Sequence, residues 1–338
     1  MKNTLSNLYL GAIFEVLQHF DVPSESCAAF LNLPENWDLK PLQRLPMADL
    51  VRLLDHLAVT HGEPNIGLKV GNQFRISTYA KTGSIYGFCK NLYQVIEMNA
   101  AYQQLAIDLG QIAHGQEGDR HQARLYPYNG DHTQYRQVID LIMGACGTAY
   151  RWLIWASGED LAGMVFPYRA PADKQTYEDL LQCPVVFDPN SKFCALEFTQ
   201  KAMDQDLPTY DTEKLALGRA KLDELLKTDT ARASLDAALK AAIRGSIKAG
   251  PVTTETISQR MGLSWSKIRS KLSDPELSFR YRTDTVRIEM FYEYYKEGLS
   301  FAEISQALAY NDQPAFNRAF KRWFDTSPKQ WETERGGG

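Results

Sequence analysis

The chain has 338 residues, 44% of them hydrophobic, with 37 Lys/Arg against 41 Asp/Glu for a net charge of −4. Such a length suits two domains with sizeable cores, and the acidic balance argues against a uniformly basic nucleic-acid coat. Five cysteines (Cys27, Cys89, Cys146, Cys183 and Cys194), no CxxC pair and no opening leader fit a reduced cytoplasm better than a disulfide scaffold.

Tyr9 to Phe20 has amphipathic spacing and predicts a helix. Pro23 opens a shorter one reaching about Leu31. Met47 to Thr60 predicts a third, with Leu50, Leu53, Leu54 and Leu57 along one side. Gly62 to Lys69 (GEPNIGLK) starts like a phosphate loop, but Lys69 comes one position late and Val70 follows it, so that reading is set aside. Tyr86 to Leu109 reads as one long helix or two. Gly115 to Tyr128 and Leu161 to Tyr168 alternate like strands. Leu141 to Ala156 (LIMGACGTAYRWLIWA) is the most apolar run, too short to span a bilayer and interrupted by Arg151, so a buried helix is expected. Val185 to Phe187 and Cys194 to Phe198 read as a strand pair around the Asp188–Ser191 turn. Lys214 to Leu226 predicts a helix, and Thr228-Asp229-Thr230 is the linker candidate. Residues 1–230 thus form an α+β domain, helices around a small sheet.

Eight residues recur further on: Ile257–Ser264 (ISQRMGLS) aligns with Ile304–Asn311 (ISQALAYN), 47 positions later. Thr253 or Thr254 can cap a helix to about Met261, with Glu255 in its first turn. Gly262 suits a turn needing positive φ. Ser264 caps a second helix, about Trp265 to Ser273, whose buried seam is Ile268 and Leu272. Ser266, Ser270 and Ser273 point away from that seam, flanked by Lys267 and Arg269. No Gly or Pro interrupts Phe279 to Glu297, which predicts a connector helix of about 17 residues and roughly 25 Å. Its apolar rows are Val286, Met290, Tyr294 and Ile288, Phe291, Tyr295; Arg280, Arg282 and Arg287 on it suit backbone contacts or ion pairs.

Ser300 and Glu303 then form a capping box for a helix through about Ala309, with Ile304 and Leu308 as its core pair. After a turn at Tyr310-Asn311, Asp312 caps a helix with Pro314 in its first turn. Phe316 and Phe320 are its buried pair. Pro314, Arg318 and Lys321 face away, flanked by Asn317 and Arg322.

Each copy is a helix-turn-helix unit, about 253–273 and 300–322. The small, cationic outer face of each second helix suits a DNA major groove. Ser266, Lys267, Arg269 and Ser270 are the candidate contacts of the first unit. In the second, Gln313, Asn317 and Arg318 are the candidate base readers, since such side chains pair bidentately with base edges. Lys321, Arg322 and Lys329 suit phosphates. Phe316, Phe320, Trp323 and Phe324 are expected in the core rather than on a stacking surface. Charge divides the same way: residues 231–335 carry 17 Lys/Arg and 13 Asp/Glu, a net +4, while 1–230 carry a net −8. An ordinary surface helix or a partner-protein module is the rival reading of these faces.

The stretch ISQALAYNDQPAFNRAFKRWFDTSPKQW resembles the signature of the AraC/XylS family of bacterial transcription regulators, through Phe316, Arg318, Ala319, Phe320, Phe324, Ser327 and Pro328. Ser258 and Ser305 stand where that family usually has Ala, and Ala309-Tyr310 where it usually has Gly-Phe. An Ala in a positive-φ turn costs about 1 kcal/mol. Upstream, Gly83 to Tyr102, Tyr177-Glu178, Cys183 to Phe187, Leu196 to Phe198 and Leu207-Pro208 are similar to the ligand-binding domain of the subgroup containing the ornithine-utilisation regulators.

The resemblance implies a small-molecule sensor over 1–230, which often self-associates, and an all-α DNA-binding domain of seven helices over 231–335. It implies a cytoplasmic regulator, usually an activator, that binds double-stranded promoter DNA and an effector, with RNA polymerase and a second copy as further partners. No cofactor, metal or membrane is expected. An enzyme in 1–230 with a DNA-binding tail is the alternative, but GxSxG, GxGxxG and HExxH are absent. All six His lie within 1–132. His56 and His61 are poorly spaced to share a metal. His114, His121 and His132 can converge only if a sheet gathers them. Tyr126, Tyr128, Trp152, Trp155, Phe166 and Tyr168 are expected in the core, some at an effector pocket. Arg151 and Arg169 are the candidate anchors for an anionic effector, with salt bridges as their alternative role.

Overall fold

The computed structural model describes residues 3–33, 37, 44–75, 85–128, 132–155, 159–171, 174–250, 252–272, 278–324 and 326–335, with backbone alone at 229–234 and 333–335. The chain divides into two compact units, Met1–Asp229 and Thr230–Gly338.

In the first unit, β1 (Thr4–Ser6) leads into α1 (Asn7–Leu17), a 3-10 turn at Gln18–Phe20, α2 (Ser24–Phe30), β2 (Arg44–Pro46), α3 (Met47–Thr60) and α4 (Ile66–Asn72). Then come α5 (Leu92–Tyr102), β3 (Ile107–Asp108), β4 (Gly110–Glu117), β5 (Arg120–Pro127), α6 (Arg136–Ile154), β6 (Gly163–Phe166), α7 (Lys174–Leu181), β7 (Val185–Phe187), β8 (Cys194–Phe198) and α8 (Gln200–Asp204). A three-stranded sheet has the order β2-β1-β3, and a five-stranded sheet the order β4-β5-β8-β6-β7.

The apolar run around Leu141 is indeed a buried helix, α6, and α4 lies against it. A Cβ on Gly67 would sit 2.1 Å from the Gln137 carbonyl oxygen, and one on Gly71 2.2 Å from that of Leu141. Gly67, from the discarded phosphate-loop stretch, and Gly71 therefore let two helix backbones touch, and Gly67 N–H donates to Gln137 Oε1 at 2.9 Å. Asp140 on α6 is fully buried. It accepts hydrogen bonds from the Tyr168 hydroxyl and, at 2.7 Å, from that of Tyr177. Arg136 Nη1 lies 3.2 Å from it and also donates to Asn65 Oδ1 at 3.1 Å. Burial pushes the Asp140 carboxyl up to about 6, against the lowering effect of these hydroxyls and of Arg136.

Several expectations change in tertiary context. Gly115 to Tyr128 belongs to a hairpin, β4 and β5, turning at Gly118 with φ +60°. The strands β7 and β8 do not pair with each other. β6 lies between them, parallel to β7 and antiparallel to β8, because α7 carries the chain over between β6 and β7. Only Leu92–Tyr102 of the Tyr86–Leu109 stretch is one α-helix, capped by Asn91. Gly83 lies outside the described residues. The junction of the two units falls at Asp229–Thr230, within the linker candidate, but Thr228 to Thr230 are helical, inside α9 (Thr212–Ala249); no Gly or Pro breaks the chain between Gly218 and Gly245.

The second unit contains the end of α9, then α10 (Thr254–Met261), α11 (Trp265–Lys271), α12 (Phe279–Lys296), α13 (Phe301–Ala307), α14 (Gln313–Phe324) and α15 (Pro328–Arg335), seven helices among the described residues. Ile243, Ile257, Ile268, Phe291, Ile304, Phe316 and Phe320 form its core. Phe291 on the connector α12 is at the centre, its ring 5.2 Å from Phe320 and 5.4 Å from Trp331. Lys240–Glu289 at 2.6 Å and Arg244–Glu293 at 2.6 Å join α9 to α12. Ser273 and the Gly336–Gly338 tail lie outside the described residues.

Candidate nucleic-acid interface and effector cavity

The two repeats have the same backbone logic. Thr253 and Thr256 form a reciprocal capping box for α10, and Ser300 with Glu303 does so for α13. At the turns, Gly262 has φ +64° and Ala309, 47 positions later, has φ +56°. Leu263 N–H donates to Ser258 O at 3.2 Å, and Tyr310 N–H to Ser305 O at 3.1 Å. The Ala therefore adopts the glycine-like conformation. Arg287 of the connector braces it: Nε donates to the Leu308 carbonyl at 3.2 Å, and the guanidinium lies 4.4 Å from the Tyr310 ring centre. That carbonyl is one a helix end leaves without an internal partner.

The second helices then start from side-chain caps. Ser264 Oγ accepts from Lys267 N at 3.5 Å, and Asp312 Oδ1 from Ala315 N at 2.6 Å. Ile268 and Leu272, and Phe316 and Phe320, are buried as the spacing requires. One extra turn residue makes Ser270 of α11 the counterpart of Arg318 of α14. Ser266, Lys267, Arg269 and Ser270 are exposed, as are Gln313, Asn317, Arg318, Lys321 and Arg322. Trp323 and Phe324 are half-buried against the aromatic core. Gln313 Nε2 donates to Asn317 Oδ1 at 3.3 Å. Arg322 is engaged by Asp284 of α12. Arg280, Arg287, Arg318 and Arg322 line one groove of about 480 Å³ between α12 and α14. Sequence spacing alone does not bring the connector arginines beside α14.

The first unit holds a cavity of about 80 Å³ between α5, α6 and the sheet. Val95, Ile112, Leu125, Ile142, Met143, Leu153 and Leu196 supply its apolar walls, while Tyr9, Tyr86, Tyr150, Asn99, Gln103 and Cys146 add polar atoms. The Tyr86 hydroxyl donates to Asn99 Oδ1 at 3.4 Å. Burial, with the nearby Cys146 thiol second, holds the Tyr9, Tyr86 and Tyr150 hydroxyls well above the usual phenol range. These side chains come from distant segments. The only sequence signal was the stripe Met143, Cys146, Tyr150, Leu153 at helical spacing.

Neither Arg151 nor Arg169 lines this cavity. Arg151 Nε pairs with Asp160 at 2.7 Å and its Nη2 donates to the Leu181 carbonyl at 2.5 Å, while Arg169 is exposed. Trp152 and Trp155, expected in the core, are 44% and 65% exposed, because Trp152 lies off the apolar stripe of α6 and Trp155 just past the helix end. His114 Nε2 and His121 Nδ1 do meet, at 3.1 Å, and His121 Nε2 bonds Gln200 Oε1 at 2.6 Å. His132 does not join them. Among the described residues no group of three metal-ligating side chains occurs, and no helix is long and apolar enough to cross a membrane.

Comparison with known proteins agrees with this architecture. Residues 25–207 match the arabinose-binding domain of AraC transcription regulators, and 257–334 match a helix-turn-helix domain. Uncharacterised HTH-type transcriptional regulators of Mycobacterium bovis and Mycobacterium tuberculosis are each 23% identical over 137 residues, 40% of this chain and 40% of the relative's length. The solved transcriptional regulator CdpR of Pseudomonas aeruginosa is similar at 15% identity and a TM-score of 0.48, over 96% of this chain and 98% of that one. The first family match covers more than half of the chain, so this protein belongs to the AraC family of transcription regulators, with an AraC-type arabinose-binding domain followed by a helix-turn-helix domain.

Proposed function

We propose that the two units divide the work near Thr230, with residues 1–230 sensing the effector and 231–335 reading promoter DNA. In this reading α11 and α14 enter successive major grooves. Gln313, Asn317 and Arg318 contact base edges, Ser266 and Ser270 approach the groove floor, and Lys267, Arg269, Lys321 and Arg322 hold phosphates. The observation that carries it is the paired turn: Gly262 and Ala309 share positive φ and the same closing hydrogen bond, and both following helices expose their polar faces.

Effector binding in the first unit shifts the population between arrangements of the chain that do and do not grip DNA. The apolar cavity, with its few polar groups, is the place for that effector. Self-association through the first unit, activation through RNA polymerase and a cytoplasmic setting belong to the same proposal, on the strength of family membership. Selection of bound sequences from a random DNA pool tests it. Two short conserved blocks about one helical turn apart are expected. A pool that stays random after repeated selection sinks the base-reading assignment.

A further inference from the structure

The cavity of the sensing unit says what chemistry it accepts. Its walls come from two surfaces. Ile142, Met143, Leu153 and Ala149 face in from α6, and Ile112, Ala123, Leu125 and Leu196 from the sheet. Polar atoms gather among them: the hydroxyls of Tyr86 and Tyr150, the Asn99 amide and the Cys146 thiol. Tyr150 is 4% exposed, and its hydroxyl faces the Asn99 amide without reaching the geometry of a full hydrogen bond. A buried hydroxyl of that kind is costly unless something completes it.

Among the described residues Arg124 is the sole ionisable cation lining the space, and its charge is directed elsewhere. Its Nε donates to Gln122 Oε1 at 2.7 Å, its Nη2 to the Gln116 carbonyl at 3.3 Å, and its guanidinium lies 4.4 Å from the Phe193 ring centre. Strand alternation puts Arg124 and Gln122 on one face of β5 and the wall residues Ala123 and Leu125 on the other. An anionic group inside would be buried without a counter-charge. A sugar would leave most of its hydroxyls against hydrocarbon. At roughly 10–15 Å³ per water-sized group, the space holds about five to eight non-hydrogen atoms.

We propose that the effector is a small, uncharged, largely apolar molecule bearing one polar group. Tyr150, Tyr86 and Asn99 hold that group by hydrogen bonds, and the apolar remainder lies between α6 and the sheet. This rests on the reading of the first unit as the effector sensor.

The test uses the full chain and three probes: hexanamide, its charged isostere hexanoate at about pH 8, and L-arabinose. Alkylation of Cys146 by N-ethylmaleimide, followed by peptide mass spectrometry, reports occupancy of the cavity, and thermal melting reports binding. Hexanamide at millimolar concentration is expected to slow Cys146 alkylation several-fold and raise the melting temperature, and Tyr150→Phe to weaken both effects several-fold. Hexanoate and L-arabinose are expected to do neither. Equal or stronger protection by hexanoate or L-arabinose overturns the proposal. So does a hexanamide effect that spares Cys146 or survives Tyr150→Phe in a variant whose melting is normal, and so does no hexanamide effect at all. Affinity for the selected DNA separates the two readings. Hexanamide in the cavity with unchanged DNA affinity leaves the ligand class standing and removes the sensor reading. Hexanoate in the cavity with altered DNA affinity does the reverse.

Discussion

Arg322 on α14 donates Nε and Nη2 to a single oxygen of Asp284 on the connector, at 3.2 and 2.9 Å. The arginine side chain is 40% exposed and the aspartate 14%. An ion pair open to solvent to that degree contributes about 0–1 kcal/mol, so a DNA phosphate can compete for the guanidinium. Asp284 also sits where an approaching phosphate meets negative charge. Asp284→Asn is expected to tighten binding to all DNA sequences and to steepen the slope of log K against log salt by up to about one unit, near 0.9 per added phosphate contact. A salt titration by fluorescence anisotropy measures it, and unchanged affinity and slope remove Arg322 from the phosphate contacts.

In the proposed reading Arg318 contacts a base edge and Lys321 a phosphate. Arg318→Ala is expected to weaken the selected sequence by about 1–3 kcal/mol and to relax preference at one position. Lys321→Ala should weaken selected and random duplexes alike and flatten the salt slope. Both side chains are exposed, so the folded state should be unaffected. Gel-shift titrations with both duplexes check the pair, and a sequence-independent loss in Arg318→Ala contradicts its role.

Ala309 has φ +56° at a turn whose counterpart, Gly262, has φ +64°. A Cβ is strained there by about 1 kcal/mol. Ala309→Gly is therefore expected to stabilise the second unit by about that amount, and Gly262→Ala to destabilise it similarly. Urea unfolding followed by circular dichroism gives both values. A destabilised Ala309→Gly would mean that the Arg287 brace relieves the strain.

Asp140 supplies a pH dependence of the first unit. Burial raises its carboxyl to about 6 in the folded protein, above the unfolded value of about 3.9. The folded state therefore holds the proton more tightly. The resulting stability is full below about pH 4 and is lost as pH rises through 6, by about 1–3 kcal/mol. Asp140→Asn should lack this component, so the difference in unfolding free energy between the two proteins should change across that window and be flat above it. A pH-independent difference argues for a carboxylate ionised throughout.

How much was legible depends on how local the cause is. Ser300 with Glu303, Gly262, Asp312 and the pairs Ile268–Leu272 and Phe316–Phe320 act within one or two turns of chain, and each lies where the spacing put it. Thr256 in the first capping box was missed, since the usual partner at that position is Glu or Gln. The β7–β8 pairing failed because a turn signal at Asp188–Ser191 cannot report that β6 intervenes. The cavity stayed hidden for the same reason. Tyr9, Tyr86, Asn99 and Tyr150 are drawn from four segments, and Arg151, an anchor candidate by charge, pairs with Asp160 outside the cavity.

The sequence by itself determined two helix-turn-helix units, the caps at Ser264, Ser300 and Asp312 and their polar outer faces, because side-chain caps and helical periodicity act between near neighbours. Tertiary structure alone decided the strand order, the tyrosine-lined cavity and the Asp284 clasp on Arg322. Those depend on which distant surfaces bury each other, and burial energy depends on area removed from water rather than on separation along the chain.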